Sequence, residues 1–310
     1  MVSFSRLLSV GDHPISIRTP DCRSCGFLGS DYAVSDNVNQ NIRTRRTIPC
    51  RSSVPFLFAE LRYVVYSPFN YPAESISNAM TNLQTVVFCD FDGTIARRDV
   101  GYSLFHYFSG GRNDELIPDW KAGRLSTREC LLLEAAMVHA KEEEVYRFLE
   151  QFELNRGFIE FERLCRANNV ELFVVSDGLD FYIRYILKRN NLEQLPVVAN
   201  RGKVENGGIT VEFIHRNRNC QRCGSCKGER IQEYRNRQPQ EVRVVFIGDG
   251  YSDACATTEA DLVFAKKDLE QYCLINDINY YKYDDFFDVA RELVKLGYLK
   301  DGQEGSLGGE

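Results

Sequence analysis

Two aspartates separated by one residue follow a β-branched segment, and their placement suits nucleophilic and acid–base chemistry. Thr85–Phe88 predicts a buried strand that leads into Asp90 and Asp92. Gly93 then permits a sharp turn, and the hydroxyl of Thr94 can bind a phosphoryl oxygen or cap that turn. If the chain turns at Asp92, one carboxylate can attack as a nucleophile while the other transfers a proton.

Three further segments carry polar groups in places that suit the same chemistry. Glu171–Gly178 predicts a second buried strand that ends in a serine, an aspartate and a glycine. Lys227 supplies a basic residue after a long gap, and Val244–Asp253 predicts a third strand that ends in a glycine-rich acidic loop. Each segment alone is weak evidence, because an acidic strand end is often only a solvated turn.

In this order the four segments resemble the motifs of the haloacid dehalogenase (HAD) superfamily of aspartate-nucleophile phosphohydrolases, over roughly Val86 to Tyr272. The resemblance implies that Asp90 attacks phosphorus, and that Asp92 protonates the leaving group and then takes a proton from water. It also implies Mg²⁺, a hard cation that carboxylate and carbonyl oxygens hold beside a phosphate. The implied magnesium ligands are Asp90, the carbonyl of Asp92, Asp249 and, directly or through water, Asp253, and the phosphate-binding groups are Thr94, Ser176, the backbone near Asp177 and Gly178, and Lys227.

Several of these residues have plain structural alternatives. Ser176 alone is more often a helix cap than a phosphate ligand, and Asp253 is also placed to stabilise the start of a helix. The helical pattern of Gly228–Asn236 favours Lys227 as the basic residue of the third motif. Its competitors are Lys203, Lys266 and Lys267.

Composition narrows the class of protein. The chain has 310 residues, of which 44% are hydrophobic, enough for one large or two modest domains. Its net charge of −6 argues against nucleic acid as the main partner. No stretch is apolar enough to predict a membrane span. We therefore expect a small phosphorylated metabolite as the partner, with no nucleic acid and no membrane, and the oligomeric state stays open.

Residues 1–79 differ from the rest of the chain. They contain eight arginines, six acids and no lysine, a net charge of +2, so residues 80–310 carry −8. Three explanations compete: upstream sequence before a true start at Met80, an organelle-targeting peptide, or a genuine extension. We expect this leader to be disordered and the tail at 301–310 to be flexible. Eight cysteines in residues 80–310, without an apolar signal-peptide core, favour the cytoplasm.

Strand-like and helical patterns alternate after residue 80. This alternation predicts an α/β fold with a doubly wound parallel sheet, and the resemblance implies the HAD-like, Rossmannoid form of it. Such sheets bind ligands where strands end, and all four motifs lie at strand exits or helix starts. The predicted strands are 85–90, 171–176, 243–247 and 262–265, within a core domain of residues 80–96 and 156–300.

The gap between the first two motifs is too long for a plain connection, and its pattern is helical. Ser126–Glu129 resembles a capping sequence, and helical segments follow at 130–140 and 141–152. We expect a small helical cap at 97–155, inserted after the first strand, that closes over the site and selects the leaving group. Its candidate substrate contacts are Tyr102, Arg112, Trp120, Glu134 and His139.

Within the superfamily, three segments resemble the subfamily IB-like branch that contains the methionine-salvage phosphatase. They are Leu131–Ala140, Gly157-Phe158 and Cys220–Lys227. Phosphoserine phosphatase and the phosphoethanolamine/phosphocholine phosphatase are neighbours in that branch. This chain has Ser-Asp-Gly where many relatives have Ser-Gly-Gly or Ser-Gly-Asp, so Asp177 is expected to place an extra acid beside the phosphate site.

A cluster of cysteines precedes Lys227. Cys220, Cys223 and Cys226 have C-x₂-C-x₂-C spacing, and His215 is nearby in the sequence. Three thiolates and an imidazole suit a tetrahedral structural zinc site. The alternatives are a reduced, packed loop or a disulfide, whose geometry the sequence does not show.

The resemblance thus implies a Mg²⁺-dependent phosphomonoester hydrolase that uses an aspartyl-phosphate, of the methionine-salvage type. The alternatives are phosphoserine or phosphoethanolamine/phosphocholine phosphatase activity, or a phosphotransferase with the same intermediate. A non-catalytic HAD-like binding domain is disfavoured, because it would have no use for both Asp90 and Asp92.

Overall fold

The computed structural model of the protein describes residues 83–215 and 217–301. The expectations for residues 1–79, and for the tail beyond residue 301, lie outside the described residues. Within the described ranges, no helix is long and apolar enough to cross a membrane.

Seven strands form one sheet in the order β4-β3-β2-β1-β5-β6-β7. Every neighbouring pair is parallel except β3 and β4, which confirms the predicted doubly wound α/β sheet. Starting from β1, the chain continues on one side to β2 and later returns to the other side at β5, so the ends of these strands form a topological switch point. The strands are β1 (Gln84–Cys89), β2 (Glu171–Leu179), β3 (Val197–Glu205), β4 (Gly208–Glu212), β5 (Val242–Gly248), β6 (Leu262–Ala265) and β7 (Tyr281–Lys282).

Three of these strands, β3, β4 and β7, were absent from the sequence prediction. The hairpin between β3 and β4 turns at Asn206 and Gly207, both at positive φ (53° and 77°). An Asn-Gly pair is a strong hairpin signal, since both residues tolerate the left-handed region that a tight turn requires. The polar composition of β3 obscured that signal.

Helices flank the sheet and fill the segment between β1 and β2. Their bounds are α1 (Val100–Ser109), α2 (Ile117–Lys121), α3 (Thr127–Met137), α4 (Glu142–Leu149), α5 (Phe158–Ala167), α6 (Asp180–Arg189), α7 (Lys227–Arg235), α8 (Ala254–Thr257), α9 (Lys267–Ile275) and α10 (Phe286–Lys295). Short helical turns lie at Arg112–Glu115 and Tyr251–Asp253. A tight turn lies at Phe91–Ile95, where Asp92 and Gly93 have non-helical backbone angles.

The insertion that holds α1 to α4 begins and ends at one place on the sheet. Ala96 forms an isolated antiparallel bridge with Leu154, next to the predicted cap limits. The capping sequence before α3 forms a capping box, in which Ser126 accepts from the Glu129 N–H and Glu129 accepts from the Ser126 N–H. The insertion is thus a set of regular helices attached at a narrow base.

Burial on both faces of the sheet explains the apolar run in β1. Val87 and Cys89 pack in one core cluster, and Val86 and Phe88 pack in a second. Alternate residues of a strand face opposite sides, so both faces are covered by helices, as parallel sheets require. The central position of β1 brings Asp90 to the ends of β2 and β5.

Candidate active site

The turn after β1 joins the first and fourth motifs. The Asp90 N–H donates to the carbonyl of Ile247 in β5 across 2.9 Å. Gly93 has φ of 76°, and a Cβ there would lie 2.3 Å from Oδ2 of Asp249, so both conformation and space require glycine. The Thr94 hydroxyl is fully buried and donates to Oδ1 of Asp249 across 3.2 Å.

Lys227, the first residue of α7, lies between two acids. Its Nζ donates to Oδ1 of Asp90 across 2.6 Å, to Oδ1 of Asp253, and to the Ser252 hydroxyl across 3.3 Å. Its side chain is 1% exposed. Burial disfavours its charge, but the carboxylates of Asp253 and Asp90 outweigh burial and raise its pKa. The ammonium therefore offsets the charge of two buried acids.

Three carboxylates gather at this point in the way a hard cation needs. Oxygens of Asp90, Asp249 and Asp253 all lie within 4.8 Å of one another, and all three residues are buried. Burial, and then the charge of Asp253, raise the pKa of Asp90, and burial likewise raises that of Asp253. An all-oxygen donor set of this kind fits Mg²⁺.

Asp253 and Asp249 also have partners within the protein. Oδ2 of Asp253 accepts from the N–H groups of Asp249 and Gly250 at 2.9 and 3.0 Å, so this acid fixes the loop as well as joining the carboxylate group. Lys267 donates to Oδ2 of Asp249 across 2.7 Å and to the Gly93 carbonyl across 3.4 Å. Lys267, one of the competitors of Lys227, thus supplies a second ammonium beside the same carboxylates.

Asp92 lies in a different environment from Asp90. Its Oδ1 accepts from the N–H groups of Val100 and Gly101 at the start of α1, at 2.9 and 3.1 Å. Its Oδ2 accepts from the hydroxyl of Tyr182 at 2.8 Å and from that of Ser176 at 3.4 Å. Burial raises the pKa of Asp92, although these hydrogen bonds oppose the shift. Two acids of one turn are therefore held by separate sets of donors.

Tyr182 was missed by the sequence analysis. It lies in α6, is almost fully buried, and points its hydroxyl at Asp92. A buried tyrosine normally finds a partner for its hydroxyl, so a tyrosine six residues after the second-motif serine was a usable signal.

The second motif lies beside Asp92, but the side chains of Ser176 and Asp177 form hydrogen bonds with different parts of the protein. The Ser176 hydroxyl accepts from the Gly178 N–H across 2.9 Å. The Asp177 carboxylate instead accepts from the Ser225 N–H at 2.7 Å and from the Asn200 amide at 3.3 Å. Burial raises the pKa of Asp177 to about 6. The acid that distinguishes this motif thus ties β2 to the loop before Lys227.

A cavity of about 710 Å³ opens above these groups. Its floor comprises Asp90, Asp92, Ser176, Lys227 and Asp249, and its walls come largely from the insertion, with Tyr102, Phe105, Ile117, Trp120, Leu131 and Glu134 among them.

Of the five candidate cap contacts, three line this cavity and two do not. Arg112 and His139 are exposed and lie outside the lining. Burial raises the pKa of Glu134 to about 7.

Cys220, Cys223 and Cys226 are brought together outside the lining, and His215 is not part of their cluster.

The chain is similar to known proteins in sequence and in fold. Residues 87–257 match the haloacid dehalogenase-like hydrolase family. A protein of Bacillus cereus (strain ATCC 10987 / NRS 248) named 2-hydroxy-3-keto-5-methylthiopentenyl-1-phosphate phosphatase is 32% identical over 218 residues, which are 69% of this chain and 98% of that protein.

Solved structures share the fold at lower identity. A phospho-aspartyl intermediate analogue of phosphoserine phosphatase has a TM-score of 0.53 and 19% identity, covering 69% of this chain and 99% of the other. Phosphoserine phosphatase from T. onnurineus has a TM-score of 0.52 and 18% identity, covering 68% and 94%. The chain belongs to the haloacid dehalogenase-like hydrolase family and is a phosphatase of that family.

Proposed function

We propose that this protein is a Mg²⁺-dependent phosphomonoester hydrolase that acts on a small metabolite through an aspartyl-phosphate on Asp90. The observation that carries the proposal is the division between the two acids of the first turn. Asp90 is paired with a buried ammonium, whereas Asp92 is held by hydrogen-bond donors of its own, which are the N–H groups at the start of α1 and the hydroxyl of Tyr182. One acid is suited to attack and the other to carry a proton.

In the first step, an oxygen of Asp90 attacks phosphorus and the bond from phosphorus to the leaving oxygen breaks. We assign the attack to Oδ2, because Lys227 holds Oδ1. Protonated Asp92 gives its proton to the leaving oxygen. The ammonium of Lys227 and the hydroxyl of Ser176 stabilise charge on the phosphoryl oxygens.

In the second step, Asp92 acts as a base. Its carboxylate takes a proton from water, the water oxygen attacks phosphorus, and the bond from phosphorus to Asp90 breaks to release inorganic phosphate. Donors from α1 and Tyr182 stabilise the ionised form of Asp92 that this step requires.

Asp90, Asp249 and the carbonyl of Asp92 would hold the Mg²⁺, with Asp253 beside them. When bound, the ion offsets the negative charge of the phosphate. Lys267 would neutralise Asp249 further. We also propose a cytoplasmic location, since the cysteines of the described residues are all free.

For the substrate, the cavity walls favour the methionine-salvage type. Phe105, Ile117, Trp120 and Leu131 line the side formed by the insertion, and apolar walls suit a methylthio chain better than the charged groups of phosphoserine. The relative at 32% identity acts, by its name, on 2-hydroxy-3-keto-5-methylthiopentenyl-1-phosphate.

A second candidate substrate class follows from two acids in the same wall. Asp114 and Glu134 line the cavity with Trp120, and carboxylates beside an aromatic face can bind an ammonium group. Phosphoethanolamine or phosphocholine is therefore the alternative.

The test is phosphate release by the full chain, with Mg²⁺ and again with EDTA. The panel would hold the methylthiopentenyl enol phosphate, phosphocholine, phosphoethanolamine, phosphoserine and p-nitrophenyl phosphate. We expect Mg²⁺-dependent turnover with preference for the first compound. Preference for the amino-alcohol phosphates would move the assignment to the second candidate.

The variant Asp90→Asn tests the nucleophile, with Asp277→Asn as its matched control because Asp277 is exposed and outside the cavity. We expect no turnover from the first variant and ordinary turnover from the second. Substantial activity in Asp90→Asn would contradict the assignment. Transfer of phosphate to an added alcohol in place of water would indicate a phosphotransferase.

A further inference from the structure

Four cysteine sulfurs gather beside the active site. The Sγ atoms of Cys220, Cys223, Cys226 and Cys255 all lie within 4.8 Å of one another. None of the four forms a disulfide. Cys223 and Cys226 are buried, and Cys220 and Cys255 are half-buried. The fourth member comes from α8, far along the chain from the other three.

The arrangement matches the needs of a tetrahedral metal site. Zinc bound to four thiolates has bonds of about 2.3 Å, which places neighbouring sulfurs roughly 3.8 Å apart. Sulfurs within 4.8 Å of one another reach that spacing with small side-chain shifts. The Cys223 N–H also donates to Sγ of Cys220 across 3.4 Å, and such a bond stabilises a thiolate.

Three of the thiols lie in the loop between β4 and α7, whose described residues form no regular secondary structure. Its backbone is held by polar side chains. The Glu229 carboxylate accepts from the N–H groups of Arg218, Asn219 and Cys220. Asn217 donates to the Cys223 carbonyl across 2.7 Å and accepts from the Cys226 N–H across 3.1 Å.

These contacts arrange the loop but do not give it an apolar core. The residues between the cysteines are polar or glycine: Gln221, Arg222, Gly224 and Ser225. A loop of this length and composition is usually held in place by something other than apolar packing. The four converging thiols can hold it if they bind a metal ion.

We infer that Cys220, Cys223, Cys226 and Cys255 bind one structural Zn²⁺. The site joins the loop before α7 to the short helix α8. Four thiolates favour zinc over magnesium, because sulfur is a soft ligand and magnesium prefers oxygen. His215, the imidazole that the spacing suggested, is replaced in the cluster by Cys255.

The position of the cluster connects it to the catalytic groups. Cys226 directly precedes Lys227, and Cys255 lies two residues after Asp253. The backbones already meet there, since a Cβ at Gly228 would lie 2.2 Å from the Cys255 carbonyl oxygen. A metal across this contact would fix the separation between the Lys227 ammonium and the Asp253 carboxylate. These cysteines are positioning residues, not catalytic ones.

The first measurement is the metal content of the full chain, purified under reducing conditions from zinc-supplemented cells. We expect about one zinc ion per chain, measured by elemental mass spectrometry. After replacement by Co²⁺, we expect the visible absorption and sulfur-to-cobalt charge-transfer bands of a tetrahedral tetrathiolate site. Both readouts use the unaltered protein and do not depend on its activity.

Variants then locate the zinc. Cys255→Ser should lower the zinc content to well below one per chain, whereas Cys273→Ser, which removes a buried cysteine outside the cluster, should retain it. Zinc bound by the carboxylates would survive Cys255→Ser and would lack the thiolate bands. Zinc bound by Cys22, Cys25 and Cys50 would also survive Cys255→Ser, with thiolate bands that the substitution leaves unchanged. A zinc-free protein with reduced thiols, an iron centre, or unchanged zinc in Cys255→Ser would each overturn the inference.

Discussion

Tyr182 donates its hydroxyl to Oδ2 of Asp92 across 2.8 Å, which joins helix α6 to the turn after β1. The same hydroxyl fills the space beside Gly178, where a Cβ would lie 1.8 Å from it and 2.9 Å from Oδ2 of Asp92. A tyrosine, a glycine and an aspartate from three segments thus depend on one another. The hydrogen bond from Tyr182 lowers the pKa of Asp92 against the larger, opposite effect of burial.

Tyr182→Phe should slow turnover by roughly tenfold, the cost of one hydrogen bond to a charged group. Because that bond lowers the pKa of Asp92 against the effect of burial, its loss should raise the pKa. The acidic limb of the kcat profile should therefore move to higher pH. The check is a pH–rate profile beside Tyr185→Phe, a tyrosine of the same helix that packs on Tyr146. If the acidic limb of Tyr182→Phe does not move, then Tyr182 does not affect the titration of Asp92.

Gly178→Ala should reduce activity sharply, because its methyl group would collide with Tyr182 and displace Asp92. Gly178 is not at positive φ, so the constraint is space and not backbone conformation. The double variant Gly178→Ala with Tyr182→Phe should recover part of the loss, since it removes the closest atom. Additive losses in this double-mutant cycle would show that the two residues do not share the space.

Lys227→Met should destabilise the fold by roughly 3–5 kcal/mol at pH 7, because two buried carboxylates lose their counter-ion. Burial raises the pKa of Asp90 and of Asp253 above their ordinary values, so the penalty falls as these acids protonate at lower pH. The loss should therefore be smaller at pH 5 than at pH 7. Urea unfolding in EDTA measures it, with Lys188→Met as the exposed control. Equal losses at both pH values would be inconsistent with this origin.

Glu134→Gln should stabilise the protein at pH 8 and have little effect near pH 4.5. Burial raises the pKa of Glu134 from 4.5 to about 7 in the folded chain, so the folded state favours the protonated form. The contribution of this group to wild-type stability therefore falls by about 3 kcal/mol as the pH rises between those two values, and it stays low at higher pH.

Glutamine removes the charge and can still accept from the Asn113 amide, which lies 3.2 Å from Oε1 of Glu134. The measurement is the free energy of unfolding at both pH values, beside Glu143→Gln, an exposed acid of α4. A variant that is less stable than the wild type at pH 8 would show that the Glu134 charge is compensated in the folded protein.

The sequence by itself determined the type of sheet in this protein and the edge of the sheet at which the polar motif residues lie. Buried β-branched strands that end in polar residues predicted a parallel sheet with Asp90, Ser176 and Asp249 at one edge, because strand ends meet wherever parallel strands pair. The parallel pairing of β1 with β2 and with β5 confirms the predicted sheet. The capping box before α3 was equally readable, since it depends on residues three positions apart.

The tertiary structure alone decided which side chains meet across the chain. Tyr182 reaches Asp92, Asp177 turns to Ser225, and Lys267 reaches Asp249. Cys255 joins Cys220, Cys223 and Cys226 in place of His215. Local patterns report periodicity and turn chemistry over a few residues. These contacts join residues 18 to 90 positions apart. They depend on how helices pack against the sheet, and no short-range pattern carries that information.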